Sequence, residues 1–252
     1  MENNHFLIVG GMRCGSSYLA GLLDDHPEIC MAHPYIGSEP KFFIKDDIEH
    51  KEYADYYNEY FTKAKKFQLL GEKSVSYLET KQSPKIIKSM LDNAKIIIIL
   101  RNPVDRAISH YYYSLKNGLE KRSLVEAFEY LEDLIPSDKF GHISMPPFNY
   151  LSRGIYAQSI LRYVSVFGHE KVYLETLENF SDKDKNSLSD LLRFLGVDSD
   201  FTPMGYGEKI NQSTPENHAT PPWIIENLRA YFAPLNLKLS EEYSLDLRSW
   251  GV

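Results

Sequence analysis

Apolar residues along this chain alternate between two regimes, short continuous runs and longer stretches spaced by three and four. The runs at 6–9, 29–31, 69–74, 95–100 and 171–174 predict strands, being short and bounded by turn residues or helical patterns. Residues 95–100, Lys-Ile-Ile-Ile-Ile-Leu, are apolar on both faces, the pattern of a central parallel strand covered by helices on both sides. Between the runs, Leu19, Leu22 and Leu23 share one helical face, as do Ile86, Ile87, Met90 and Leu91. The same spacing joins Val104, Ala107, Ile108, Tyr111, Tyr112 and Leu115, then Ile160, Leu161, Val164 and Phe167, then Leu188, Leu191, Leu192 and Leu195. Gly168 and Gly196 close the last two of these helices. Segments 51–66 and 123–134 predict further helices, and Pro221-Pro222 opens a final one. This alternation predicts an α/β fold, a parallel central sheet of about five strands flanked by helices, in one domain spanning residues 1–252 without internal repeats.

The punctuation between the first run and the first helix narrows the chemistry. Gly10-Gly11-Met12-Arg13-Cys14-Gly15-Ser16-Ser17 joins a strand to a helix N-terminus, where backbone N–H groups and the helix dipole favour an anion. Gly10 and Gly15 keep the glycine spacing of the Walker A loop. Ser16 stands where that loop has its lysine, and the only nearby cation is Arg13, so ordinary nucleoside triphosphate chemistry is disfavoured. A second anion site follows the central strand. Arg101 precedes Asn102 as N-cap and Pro103 as first helical residue, and Ser109 lies off the apolar stripe, free to face a ligand. A ligand with a phosphate at each end of a nucleoside would occupy both.

Composition excludes more than it assigns. A net charge of −7 argues against nucleic-acid partners, which select basic faces. Two cysteines, Cys14 and Cys30, supply neither a disulfide framework nor a zinc quartet. The first five residues are polar without a cationic start, and no apolar stretch reaches about 20 residues, so a cytoplasmic protein without a membrane partner is expected. The 18 tyrosines and 13 phenylalanines serve mainly packing, with some aromatic surface expected around a pocket.

The two anion motifs together resemble those of the sulfotransferases that use 3′-phosphoadenosine 5′-phosphosulfate (PAPS), and the resemblance covers most of the chain. Arg13-Cys14-Gly15-Ser16-Ser17 is similar to that family's 5′-phosphosulfate loop. Ile98-Ile99-Leu100-Arg101-Asn102-Pro103, with Arg106 and Ser109 beyond, is similar to its 3′-phosphate motif. His26-Pro27, Glu39-Pro40-Lys41-Phe42-Phe43, residues 72–77 and Arg153-Gly154-Ile155-Tyr156 resemble stretches of the carbohydrate branch that includes heparan sulfate sulfotransferases.

The resemblance implies a three-layer sandwich like that of the P-loop NTPases. It also implies in-line sulfuryl transfer to a hydroxyl or amine, with Glu39 as general base and Lys73 beside the reacting groups, and requires no metal. It implies a cofactor cradle of Arg13, Cys14, Gly15, Ser16, Ser17, Arg101 and Ser109, closed by Asn211 and Ser213 of a late loop. His33, Lys41, Tyr112, Arg153 and Tyr156 are the candidates for contact with the acceptor, and the loops at 33–43 and 136–156 are its expected walls. Many members carry lysine where Arg13 stands; an arginine still bonds the leaving oxygen but holds its proton. Neither the membrane anchor nor the basic surface of the carbohydrate branch is expected of this sequence, so the acceptor is expected to be a small molecule such as a hydroxylated or amine-bearing secondary metabolite. Two alternatives are a P-loop kinase for a small molecule and a non-catalytic nucleotide-binding module. Residue by residue, simpler roles compete: Glu39 as a local partner of Lys41, Lys73 as a solvated strand-end lysine, Arg101 as an ion-pair residue, Ser109 and Cys14 as small packing residues, and His33 and His110 as solvent-facing or packed.

Overall fold

All five predicted runs become strands: β1 (His5–Gly10), β2 (Ile29–Met31), β3 (Leu69–Lys73), β4 (Lys95–Leu100) and β5 (Val172–Thr176). In the computed structural model, which describes residues 4–33, 39–66, 68–133, 147–182, 186–207 and 220–252, they form one parallel sheet in the order β2-β3-β1-β4-β5. The helices are α1 (Ser16–Asp24), α2 (Tyr53–Tyr60), α3 (Ser76–Glu79), α4 (Ser83–Met90), α5 (Pro103–Lys116), α6 (Leu124–Phe128), α7 (Ala157–Phe167), α8 (Leu177–Phe180), α9 (Ser187–Leu195) and α10 (Pro222–Tyr243). Among the described residues, no helix is long and apolar enough to cross a membrane.

The chain divides into two units, Met1–Leu100 with Ser159–Glu208, and Arg101–Gln158 with Lys209–Val252. The first holds the sheet. Phe6 and Ile8 of β1 and Ile97 and Ile99 of β4 point to one face, where Leu19, Leu22 and Leu23 of α1 and the leucines of α9 bury them. The alternate residues Leu7, Val9, Ile96 and Ile98 are equally buried on the other face, so the uninterrupted apolar reading of these strands is a consequence of burial on both sides. The connection from β1 runs out to β2 and that from β4 runs to β5, in opposite directions. The sheet therefore has its topological switch between β1 and β4, the place where ligands gather in open α/β sheets.

In the second unit, Val104, Ala107 and Tyr111 of α5 pack with Phe128 of α6, Phe148, Tyr150 and Ile224, Leu228 and Phe232 of α10. The helix predicted over 123–134 is shorter than expected. A Ser123–Glu126 capping box starts α6, which ends at Phe128, and the chain turns through Leu131 at φ 49°. The segment 51–66 is helical only over α2, started by Glu52 and Asp55. The one-turn helices α3 and α8 are too short to carry a periodic signal, and the apolar pattern does not predict them. Most of the long loop expected at 136–150 lies outside the described residues, as does most of the 204–220 loop.

Candidate active site

The loop after β1 is built from hydrogen bonds that its sequence permits. Gly11 N–H donates to Ile99 O at 2.7 Å, pinning the loop to β4 at the switch point, and Cys14 N–H donates to Gly11 O at 3.1 Å. Arg13 at φ 65° and Gly15 at φ 84° turn the chain back so that α1 starts at Ser16. Gly15 is needed twice over, for its left-handed backbone and because a Cβ there would lie 2.5 Å from Leu177 Cδ1. Cys14 is buried in the core beneath the loop, and Ser16 is buried while Ser17 is exposed. The first turn of α1 contains no acidic residue, and among the described residues no side-chain cap bond is made to it. Its amides and its positive dipole end are thus not neutralised by carboxylates of that turn, which suits a bound anion.

Strand β3 delivers the cation. In register, Lys73 pairs with Ile8 of β1, which carries Lys73 to the level of the loop. Lys73 is only 7% exposed. Its Nζ donates to Ser17 Oγ at 3.4 Å and to Glu39 Oε1 at 3.1 Å. The Lys73–Glu39 ion pair is largely enclosed, with side chains 9% and 16% exposed. Two residues to which the sequence assigns separate roles therefore meet, beside a hydroxyl of the anion loop.

Glu39 begins a strap, residues 39–43, that is held by hydroxyls. The Tyr60 hydroxyl, which donates to Glu59 Oε1 at 2.7 Å, also lies 3.2 Å from Pro40 O; Lys41 N–H donates to Ser74 Oγ at 2.9 Å; Phe43 N–H donates to the Tyr77 hydroxyl at 3.2 Å. Ser74 and Tyr77 each donate their own proton to Glu72 Oε1, at 2.7 and 2.5 Å, and Tyr56 donates to Glu72 Oε2 at 2.6 Å. Glu72 is fully buried, and burial pushes its carboxyl up to about 7 against the opposing pull of these three hydroxyls. Reading the sequence assigns Glu72 no role of its own. The available signal is a lone carboxylate inside a short apolar strand, which has to find several donors if it is buried.

The second unit carries the other motif. Asn102 caps α5 by accepting from Val104 N–H at 3.0 Å, and Pro103 occupies the first turn, as expected. Arg101 is half-buried, and Tyr156, itself buried, donates its hydroxyl to Arg101 O at 2.8 Å. Ser109 is 4% exposed, and Arg106 is buried with its guanidinium donating to Tyr150 O. Arg153 Nη1 lies 2.9 Å from His110 Nε2. His110 is packed edge-on against Tyr150, whereas His33 is exposed. Lys41 and Tyr112 are half-buried. Asn211 and Ser213 lie outside the described residues.

A family model for the sulfotransferase domain matches residues 3–215. A crystal structure of a sulfotransferase from Alicyclobacillus acidocaldarius is 29% identical, superposes with a TM-score of 0.76 and is covered over 98% of both chains. The Homo sapiens heparan sulfate glucosamine 3-O-sulfotransferase 3B1 is 24% identical over 255 residues, covering 92% of this chain and 61% of its own length. Its Mus musculus counterpart is 34% identical over 125 residues, covering 50% of this chain and 29% of its own length. The chain thus spans less than two thirds of the length of these two relatives.

Proposed function

Because this chain belongs to the sulfotransferase-domain family, we propose that it moves a sulfuryl group from PAPS to a hydroxyl or amine of a small-molecule acceptor. The observation that carries this reading is Lys73, whose Nζ joins Ser17 of the anion loop to the Glu39 carboxylate within 3.4 and 3.1 Å. When bound, the donor supplies a sulfuryl group attached to a phosphate leaving group. Arg13, Lys73, Ser16, Ser17 and the amides at the start of α1 hold that phosphate and present positive charge where charge develops on the departing oxygen. Arg101 and Ser109 hold the 3′-phosphate. Glu39 accepts the proton of the attacking group, and Lys73 keeps its carboxylate in place beside the loop.

The acceptor is proposed from charge. A chain at −7, with a pI near 5.6, suits a neutral or cationic small molecule better than a sulfated polymer. The test is transfer of label from 35S-PAPS to a panel of phenols, alcohols, amines and desulfated glycans, with Glu39→Gln in parallel. Turnover of Glu39→Gln should fall by about 10²–10⁴-fold, while calorimetry finds the product 3′,5′-bisphosphate bound as in the parent. Undiminished turnover would remove Glu39 from the role of base, and preferential labelling of glycans would remove the small-molecule acceptor.

A further inference from the structure

Among the described residues, Glu72 is the one carboxylate of the sheet that is fully enclosed, and the hydrogen bonds its side chain accepts come from hydroxyls. An isolated carboxylate in such a place is expensive, and an apolar residue of similar size would stabilise the fold at least as well. What the carboxylate supplies that leucine would not is direction. Ser74 and Tyr77 each have a single proton, and both spend it on Glu72 Oε1. Their oxygens are then left as acceptors only, facing the backbone N–H groups of Lys41 and Phe43. Two consecutive hydrogen bonds therefore run from Glu72 through each hydroxyl to the strap.

We infer that Glu72 is a positioning residue for the transfer reaction: it fixes Ser74 and Tyr77 as acceptors for the Lys41 and Phe43 amides and so holds Glu39 against Lys73. This rests on the reading of Glu39 as the general base. The third donor provides an internal contrast. Tyr56 reaches the same carboxylate, through Oε2, but among the described residues its hydroxyl makes no bond to the strap. Around this polar centre the rings of Phe42 and Phe43 each lie 5.0 Å from Tyr56, so the strap is clamped by apolar packing on α2 and aimed by the two hydrogen-bond relays. Packing alone resists removal of the strap but tolerates sliding along it; the relays specify register. A shift of about 1 Å at a base can cost on the order of 10²-fold in rate, so small losses of register are enough to matter.

The experiment compares Ser74→Ala, Tyr77→Phe and Glu72→Leu with Tyr56→Phe. Amide hydrogen exchange is followed at Lys41 and Phe43, together with kcat, KM and bisphosphate affinity on the best acceptor of the panel above. Ser74→Ala and Tyr77→Phe should speed exchange at Lys41 and Phe43 respectively and lower kcat about 10- to 100-fold, with bisphosphate affinity within two-fold of the parent. Tyr56→Phe should destabilise the fold comparably while leaving strap exchange and kcat within about two-fold. In the Glu39→Gln background, Ser74→Ala should cost no further turnover, since the two act through one group. Unchanged exchange at both amides overturns the proposal, as does a Tyr56→Phe defect equal to that of Tyr77→Phe or a Ser74→Ala cost that persists without Glu39. Should Glu72→Leu fail to fold, the single-hydroxyl variants decide. If Glu39→Gln alone retains turnover, the reading of the base fails, and the exchange data still decide whether Glu72 holds the strap.

Discussion

Lys73 shows how little of a site can be read from spacing alone. Near Glu39 in sequence the obvious partner is Lys41, two residues on, yet the fold pairs Glu39 with a lysine 34 residues away. The reason lies in the strap: Lys41 adopts φ 51° and its amide is taken by Ser74, so the local chain turns to serve the Glu72 centre. The motif that resembles a 3′-phosphate site is a parallel case, because Ser109, expected to be free to face a ligand, is almost entirely buried. A buried hydroxyl that meets an anion loses more when removed than an exposed one, since hydrogen bonds to charged groups contribute about 1.5–3 kcal/mol. Arg101→Ala and Ser109→Ala are each expected to weaken binding of the 3′,5′-bisphosphate by about 10- to 100-fold in calorimetry. Parent-like affinity in both variants would refute the assignment of that phosphate to these residues.

At the level of elements, the strands are the most legible part, because burial on both faces writes itself as an uninterrupted apolar run. The helices that depart from expectation do so at their C-terminal ends: α2, opened by Glu52 and Asp55 close to the expected start, ends at Tyr60, and α6, opened by its Ser123 cap, stops after five residues. The Glu72 relay is not legible: Ser74 and Tyr77 lie close to Glu72 in sequence, but Tyr56 of α2 is 16 residues away and the strap amides that Ser74 and Tyr77 serve are 33 and 34 residues from them, and only the tertiary fold joins these. The anion loop is legible because Gly15 is a steric necessity, and α1 offers a paired test of this. Gly15 has φ 84° and Leu177 against its Cα, whereas a Cβ placed on Gly21, inside the same helix, would meet nothing within 4 Å. Gly15→Ala should therefore lower stability by about 1–2 kcal/mol or more and weaken bisphosphate binding. Gly21→Ala should instead raise stability by about 0.5–1 kcal/mol through helix propensity and leave binding unchanged. Denaturant midpoints and calorimetry on the two variants check both signs, and equal effects would show that the loop geometry is not what Gly15 provides.

For the molecule as a whole, stability against pH is set in part by two buried groups of opposite sense. Burial holds His5 down, from 6.5 to about 4, among Tyr53, Tyr56 and Phe61. Its folded value lies below its unfolded one, so its contribution is fully present above about pH 6.5 and is lost as the pH falls toward 4. Glu72 has the reverse sign. Burial raises it to about 7, opposed by Tyr56, Tyr77 and Ser74 and assisted by Glu39, so its contribution is present below its unfolded value of 4.5 and is lost as the pH rises toward 7. Each shift corresponds to about 3 kcal/mol across its window. Between about pH 4.5 and 6.5 the unfolded chain binds one more proton at His5 and one fewer at Glu72, and the slopes cancel. Below that range the carboxylates held low by partners dominate, among them Glu120, whose burial is outweighed by the bonds it accepts from Arg122 and Tyr150, and stability falls. The parent should accordingly show a near-flat denaturant midpoint from about pH 4.5 to 6.5. His5→Phe should uncover the Glu72 limb, with stability falling as pH rises through that range, and Glu72→Gln should uncover the His5 limb, with stability rising. Identical pH profiles for the parent and both variants would mean that neither group titrates differently in the folded and unfolded chain.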